Sequence, residues 1–134
     1  MKHVVVGIIS RTNPEGQAEY LLVSSRNTTH GEYSGAYYPP GGHVEAGETE
    51  EVALIREVQE ELGITITPHT KVTESAGDVA NQITHWWLCE SQSDAITIDT
   101  DELLDARFVT ETEMSQLRLW PATAKFFAEF IFKN

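Results

Sequence analysis

The chain has 134 residues, 40% hydrophobic and 22% charged, which suffices for one sizeable core and excludes a disordered composition. Twenty-one acids against nine lysines and arginines give a formal net charge of -12. That balance excludes a broad face for the phosphates of DNA or RNA, but not a small polyphosphate carried in with a divalent cation. Cys89 is the single cysteine, which excludes a disulfide framework and a thiolate metal cage. No apolar run is long enough for a signal-peptide core or a membrane span. The expectation is one domain over 1–134, a monomer or homodimer in the cytoplasm, bound to neither membrane nor nucleic-acid polymer.

In chain order, "HVVVGIIS" (3–10) is β-branched and unbroken until polar "RTNPEGQ", which predicts a buried strand and a turn. "AEYLLVSSR" (18–26) reads as its hairpin partner. The turn-rich "NTTHGEYSGAYYPPGG" (27–42) is long enough to be a functional loop. Thr49 suits a helix N-cap, with Glu50 and Glu51 complementing the positive helix end and Gly63 providing the stop. "ITITPHTKVTES", "QITHWWLCES" and "ARFVT" read as strands, and "ETEMSQL" and "PATAKFFAEFIF" as helices, the last with Pro121 near its start. Strands on both sides of a central helix, then terminal helices, predict an α/β or α+β domain around a mixed sheet.

Steps of about 100° around the central helix put Leu54, Ile55, Val58 and Leu62 on one broad arc with Val52. Glu57, Glu60 and Glu61 fall together on a neighbouring arc, flanked by Ala53 and Arg56. Like charges at i, i+3 and i+4 repel by a few tenths of a kcal/mol per pair, more when shielded from water. Between Glu48 and Gly63 the helix has Arg56 and no lysine to relieve them. Two readings stand on spacing alone: a solvated acidic face, or a site for a hard cation such as Mg²⁺, Mn²⁺ or Ca²⁺ shared with substrate phosphates.

The whole string resembles a known box. Gly42, five residues, Glu48, seven residues, then Arg56-Glu57-Val58-Gln59-Glu60-Glu61-Leu62-Gly63-Ile64 matches all nine specified positions of the Nudix box without a gap. The preceding "PGG" and the order of strands extend the resemblance over most of the chain. It implies an α/β/α sandwich with a central mixed β-sheet. It also implies a hydrolase that cleaves a nucleoside diphosphate linked to another group, with Mg²⁺ or Mn²⁺. Carried over by position, Glu57, Glu60 and Glu61 become metal ligands, with the Gly41 carbonyl as a further one. One of these glutamates, or a carboxylate from another loop, becomes the general base. Glu48 and Arg56 become a charge pair that holds loop and helix in place.

On the substrate side the resemblance implies Arg26 as a phosphate contact. Glu102 is the candidate for an additional carboxylate, in competition with Asp101 and Asp105. Tyr37 stands where the family has another aromatic, and Pro39 stiffens the approach to the glycines. "ITHWWLCE" is the expected base-recognition strand; Trp86 and Trp87 point to opposite faces of it, so at most one faces a pocket. Trp120 is expected as a core anchor at a helix start, Cys89 as a small buried hydrophobe, and His43, inside the glycine loop, as a residue that could approach phosphate though many residue types would be tolerated there. The proline of ADP-ribose hydrolases and the tyrosine of diadenosine polyphosphate hydrolases are both missing from "VANQ" past the box. A small nucleotide, including a (d)NTP cleaved to NMP and pyrophosphate, is therefore the expected substrate. A non-catalytic nucleotide-sensing module is the alternative, though such chains usually lose box carboxylates and this one keeps them.

Overall fold

The computed structural model describes residues 1–26, 34–93 and 95–133. The first part of the turn-rich loop, 27–33, lies outside the described residues. The chain runs β1 (Lys2–Thr12), β2 (Ala18–Ser25), β3 (Tyr37–Tyr38), β4 (Gly41–His43), α1 (Glu50–Leu62), β5 (Ile66–Ala76), β6 (Gln82–Ser91), β7 (Leu103–Val109), α2 (Glu111–Met114) and α3 (Pro121–Phe126). A π-helical turn, Phe127–Ile131, continues α3. The expected elements are present, and the strand read as "ARFVT" begins earlier, at Leu103.

β1 organises the sheet. Lys2 to Ile9 pair in parallel with β6, Val4 to Val6 antiparallel with β4, and Ser10 to Thr12 form an antiparallel hairpin with β2. β2 in turn carries β3 and β7, and β5 lies outside β6. The result is the mixed sheet expected from the sequence. Pro68 lies in β5, which borders the sheet, at a register shift against β6 where its missing N–H costs little.

Both faces of β1 are covered, which explains its unbroken apolar run. Val5 and Ile9 pack with Leu54, Val58 and Leu62 of α1. Val6 and Ile8 face the other way, into a cluster with Trp86, Met114, Phe126 and Phe127. Helices therefore cover the sheet on both sides. Cys89 is buried on the α1 side, where burial pushes its thiol up to about 12.

The core face of α1 differs from the one read off the wheel. Val52 and Ile55 are exposed, at 52% and 36%, while Ala53, Leu54, Val58 and Leu62 are fully buried. On the same wheel the buried arc centres close to Glu61, at about 180° from Val52. Sequence periodicity grouped Val52 with the core because it weighs hydrophobicity alone. The fold instead buries the side that carries a glutamate, which makes α1 a functional helix as well as a packing one.

Candidate active site

α1 is held rigidly at both ends. Thr49 Oγ1 accepts the Val52 N–H at 3.1 Å, and Gly63, at φ 68, ends the helix with its N–H on the Gln59 carbonyl. Two glycines then let β4 come close. A Cβ on Gly41 would lie 1.9 Å from the Val5 carbonyl oxygen, and one on Gly42 would lie 2.3 Å from Glu57 Cδ. The double glycine thus brings the β4 backbone against both β1 and the Glu57 carboxylate.

Arg56 ties the loop to the helix. Its Nε and Nη2 donate to the two oxygens of Glu48 at 2.7 and 2.9 Å, a bidentate pair. Nη1 reaches Glu57 at 2.9 Å and Glu60 at 3.5 Å, and Nη2 donates to the His43 carbonyl at 3.1 Å. Glu48 also accepts the Glu45 N–H at 2.9 Å, and Glu45 lies 3.8 Å from the guanidinium. The hydrogen bonds from Arg56, then that from Glu45, hold the Glu48 carboxyl down at about 2, and the same pairing raises Arg56.

The remaining acids are under strain of a different kind. Glu61 is pushed up to about 8, first by burial and then by the charges of Glu57, Glu102, Glu60 and Asp99. Its Oε1 is buried and has no hydrogen-bond partner among the described residues. Burial also raises Glu57, against the lowering pull of Arg56. Tyr38, half-buried and within reach of the Glu61 charge, is pushed up to about 12 by desolvation and by that charge. An orphaned carboxylate oxygen in a cluster of like charges fits a hard divalent cation, whose oxygen-ligand chemistry this set supplies. Even so, no three His, Cys, Asp or Glu side chains among the described residues converge as a ready-made cage. Arg56 accounts for part of this, because it holds Glu57 and Glu60.

The other expected residues spread around this centre. Glu102 sits at an exposed turn before β7, and its charge reaches Glu61 and Tyr38. Its carbonyl accepts the Arg26 N–H at 3.0 Å, while the Arg26 Nε donates to the Thr100 carbonyl, so Arg26 lies against the Glu102 turn. Asp101 stays in that turn, with its N–H on Asp99 Oδ1. Asp105 is engaged elsewhere, accepting from Arg107 at 2.7 Å and from the Tyr37 hydroxyl. Sequence reading did not single out Asp99 or Tyr38. Tyr38 follows directly on the Tyr37 that was singled out; it packs against the α1-side cluster and Tyr37 against the opposite one, so no local pattern marks Tyr38 for the cavity.

Beyond β4, on the face of the sheet away from α1, lies a cavity of about 280 Å³ whose walls include Val6, Tyr38, Gly41, Gly42, Trp86 and Trp120. Trp86 is buried, stacks on Phe126 with centroids 4.3 Å apart, and donates its indole N–H to Ser75 at 3.0 Å. Trp87 points to the α1 side and donates to Glu50 at 2.9 Å, as strand alternation requires. Trp120 lines the cavity at the start of α3, with Tyr38 edge-on at 6.1 Å. Tyr37 turns to Asp105 and Arg107, so Tyr38 is the tyrosine on the cavity wall. Glycines 41 and 42 are shared by the cavity rim and the acidic site.

A family model for the NUDIX domain matches residues 1–130. The chain belongs to the NUDIX family. NUDIX hydrolases act on phosphoric anhydride bonds and generally use divalent metal ions. The chain is 40% identical over 60 residues to an ADP-ribose pyrophosphatase of Methanocaldococcus jannaschii, a match covering 45% of the chain and 31% of that relative. It is 39% identical over 62 residues to an 8-oxo-dGTP diphosphatase of Escherichia coli K12, covering 46% of the chain and 43% of the relative. The matches thus span less than half the length of either curated relative. In structure it is similar to a Nudix hydrolase of M. smegmatis, RenU, with a TM-score of 0.77 at 23% identity over 93% of this chain and 80% of that one. That last likeness concerns the fold. No helix among the described residues is long and apolar enough to cross a membrane.

Proposed function

We propose that this NUDIX chain is a metal-dependent pyrophosphohydrolase that cleaves a nucleoside diphosphate linked to another group, with a (d)NTP going to NMP and pyrophosphate as the leading case. The observation that carries it is the buried, unpartnered Glu61 Oε1 among the charges of Glu57, Glu60 and Glu102. Glu57, Glu60 and Glu61, with the Gly41 carbonyl and Glu102, are the groups that would hold Mg²⁺ or Mn²⁺. Such an ion neutralises phosphate oxygens and lowers the pKa of a bound water.

The chain's own residues supply the rest. Arg56 and Glu48 keep the glycine loop against α1, so the phosphate end of a substrate meets a preset arrangement. A carboxylate whose affinity for protons is raised by burial, as at Glu61, is suited to take a proton from an attacking water when the cluster is only partly neutralised. The cavity between Tyr38, Trp86 and Trp120 would accept the base, and Arg26, beside the Glu102 turn, would contact the outer phosphate. The acidic surface favours a small nucleotide over DNA or RNA, and the lone buried cysteine suits a reducing cytoplasm.

The test is phosphate and pyrophosphate release across a broad nucleotide panel with Mg²⁺ or Mn²⁺. Turnover by the wild type and its loss in the Glu60→Gln, Glu61→Gln double variant is the expected result. Release no greater than that of the double variant across the panel would remove the proposal.

A further inference from the structure

The cavity has a carboxylate at its rim that belongs to neither the box nor the Glu102 turn. Asp78, in the β5–β6 turn, lines it and is exposed. Both its oxygens accept the Ala122 N–H, at 3.1 and 3.0 Å. Trp120, at the N-cap of α3, makes no side-chain capping bond and Pro121 has no N–H, so Asp78 takes the capping role from another loop. That bond has a second effect. It holds the carboxylate in one orientation and leaves its outer lone pairs to a further donor.

The other dimensions of the cavity suit a nucleobase. An engineered apolar cavity of about 150 Å³ takes a benzene ring, so about 280 Å³ accommodates one fused bicyclic base. Its aromatic walls suit a flat ring. Gln82, a second polar group on the wall, is engaged with His43, its Nε2 lying 3.3 Å from His43 Nε2. Among the described residues Asp78 is the one carboxylate lining the cavity and is held ready for a base edge. An ionised carboxylate accepts and does not donate, so it pairs with an N–H and is opposed by a carbonyl at the same position.

Resting on the nucleotide reading above, we propose that Asp78 is a specificity-determining residue that accepts a hydrogen bond from the exocyclic amino group of the substrate base. Bases bearing that amine are selected over their carbonyl counterparts, and a purine fills the cavity best.

The experiment compares kcat/KM for paired substrates, ATP against ITP and CTP against UTP, with Mg²⁺ in wild type and Asp78→Asn. In the wild type the amine-bearing member of at least one pair is expected to be preferred by about tenfold, a modest ratio because the carboxylate is exposed. In Asp78→Asn, which keeps an oxygen for Ala122, the ratio should fall to within about twofold of unity, since the new amide also donates. A purely structural role would lower every substrate together, along with Tm, and leave the ratios intact; that result overturns the proposal. A wild type with equal rates on both members of each pair overturns it without needing the variant. Nucleotide turnover with no dependence on the amine removes this inference alone, whereas no turnover of any nucleotide removes the nucleotide reading with it.

Discussion

Replacing Glu61 with glutamine removes a charge that the metal-free fold resists. Burial and the neighbouring acids raise this carboxyl from its ordinary value of 4.5 to about 8. A raised carboxyl binds its proton more tightly when folded, so no penalty exists below about pH 4.5. The penalty grows as pH rises and is complete above about pH 8. At about 1.4 kcal/mol per pH unit the ceiling is about 5 kcal/mol. Solvent at the edge of the cluster and counter-ions gathered around it cut this to about 2 kcal/mol. In EDTA at pH 9, Glu61→Gln is therefore expected to be more stable than wild type by about 2 kcal/mol, or a urea midpoint about 1 M higher. The two curves should meet near pH 4. With Mg²⁺ or Mn²⁺ the order should reverse, because a ligand that binds only the folded state stabilises it and the variant has lost a binding group. Urea melts across pH, with and without metal, read both effects. A variant no more stable than wild type at pH 9 in EDTA, or a difference that persists at pH 4, would refute the reasoning.

Gly42→Ala places a methyl where Glu57 now sits, 2.3 Å from its Cδ, so it should cost about 1–3 kcal/mol in denaturant melts and reduce turnover disproportionately. Arg56→Lys keeps the charge but loses the fork that spans Glu48 and Glu57; kcat is expected to fall at least about tenfold, with circular dichroism showing the helix intact. Trp86→Ala empties a buried site stacked on Phe126 and should cost about 3–5 kcal/mol. Trp87→Phe deletes one hydrogen bond to Glu50 and should cost about 1 kcal/mol; equal losses in the two melts would contradict the assignment of the two faces.

Much of this protein is determined locally and is therefore legible in the sequence. The β-branched run of β1, the cap at Thr49, the stop at Gly63 and the spacing of Glu48, Arg56, Glu57, Glu60 and Glu61 depend on neighbours in the chain, and together they announce the mixed sheet, the helix and the family. Alternation alone also separated Trp86 from Trp87. What the chain could not disclose is which side of α1 meets the sheet. Hydrophobicity favoured Val52 and Ile55, yet packing against β1 buries Ala53, Leu54, Val58 and the edge of Glu61. Likewise the choice of Tyr38 over Tyr37 for the cavity wall depends on β3 pairing with β2. The joining of Asp78 to α3 spans 44 residues of chain. Those contacts are long-range: no local rule places the partner, and only closure of the sheet and docking of the helices bring the groups within reach. The sequence by itself names the chemistry of the box, and the tertiary structure decides which of its glutamates is buried unpaired and what lies across β4 to receive a base.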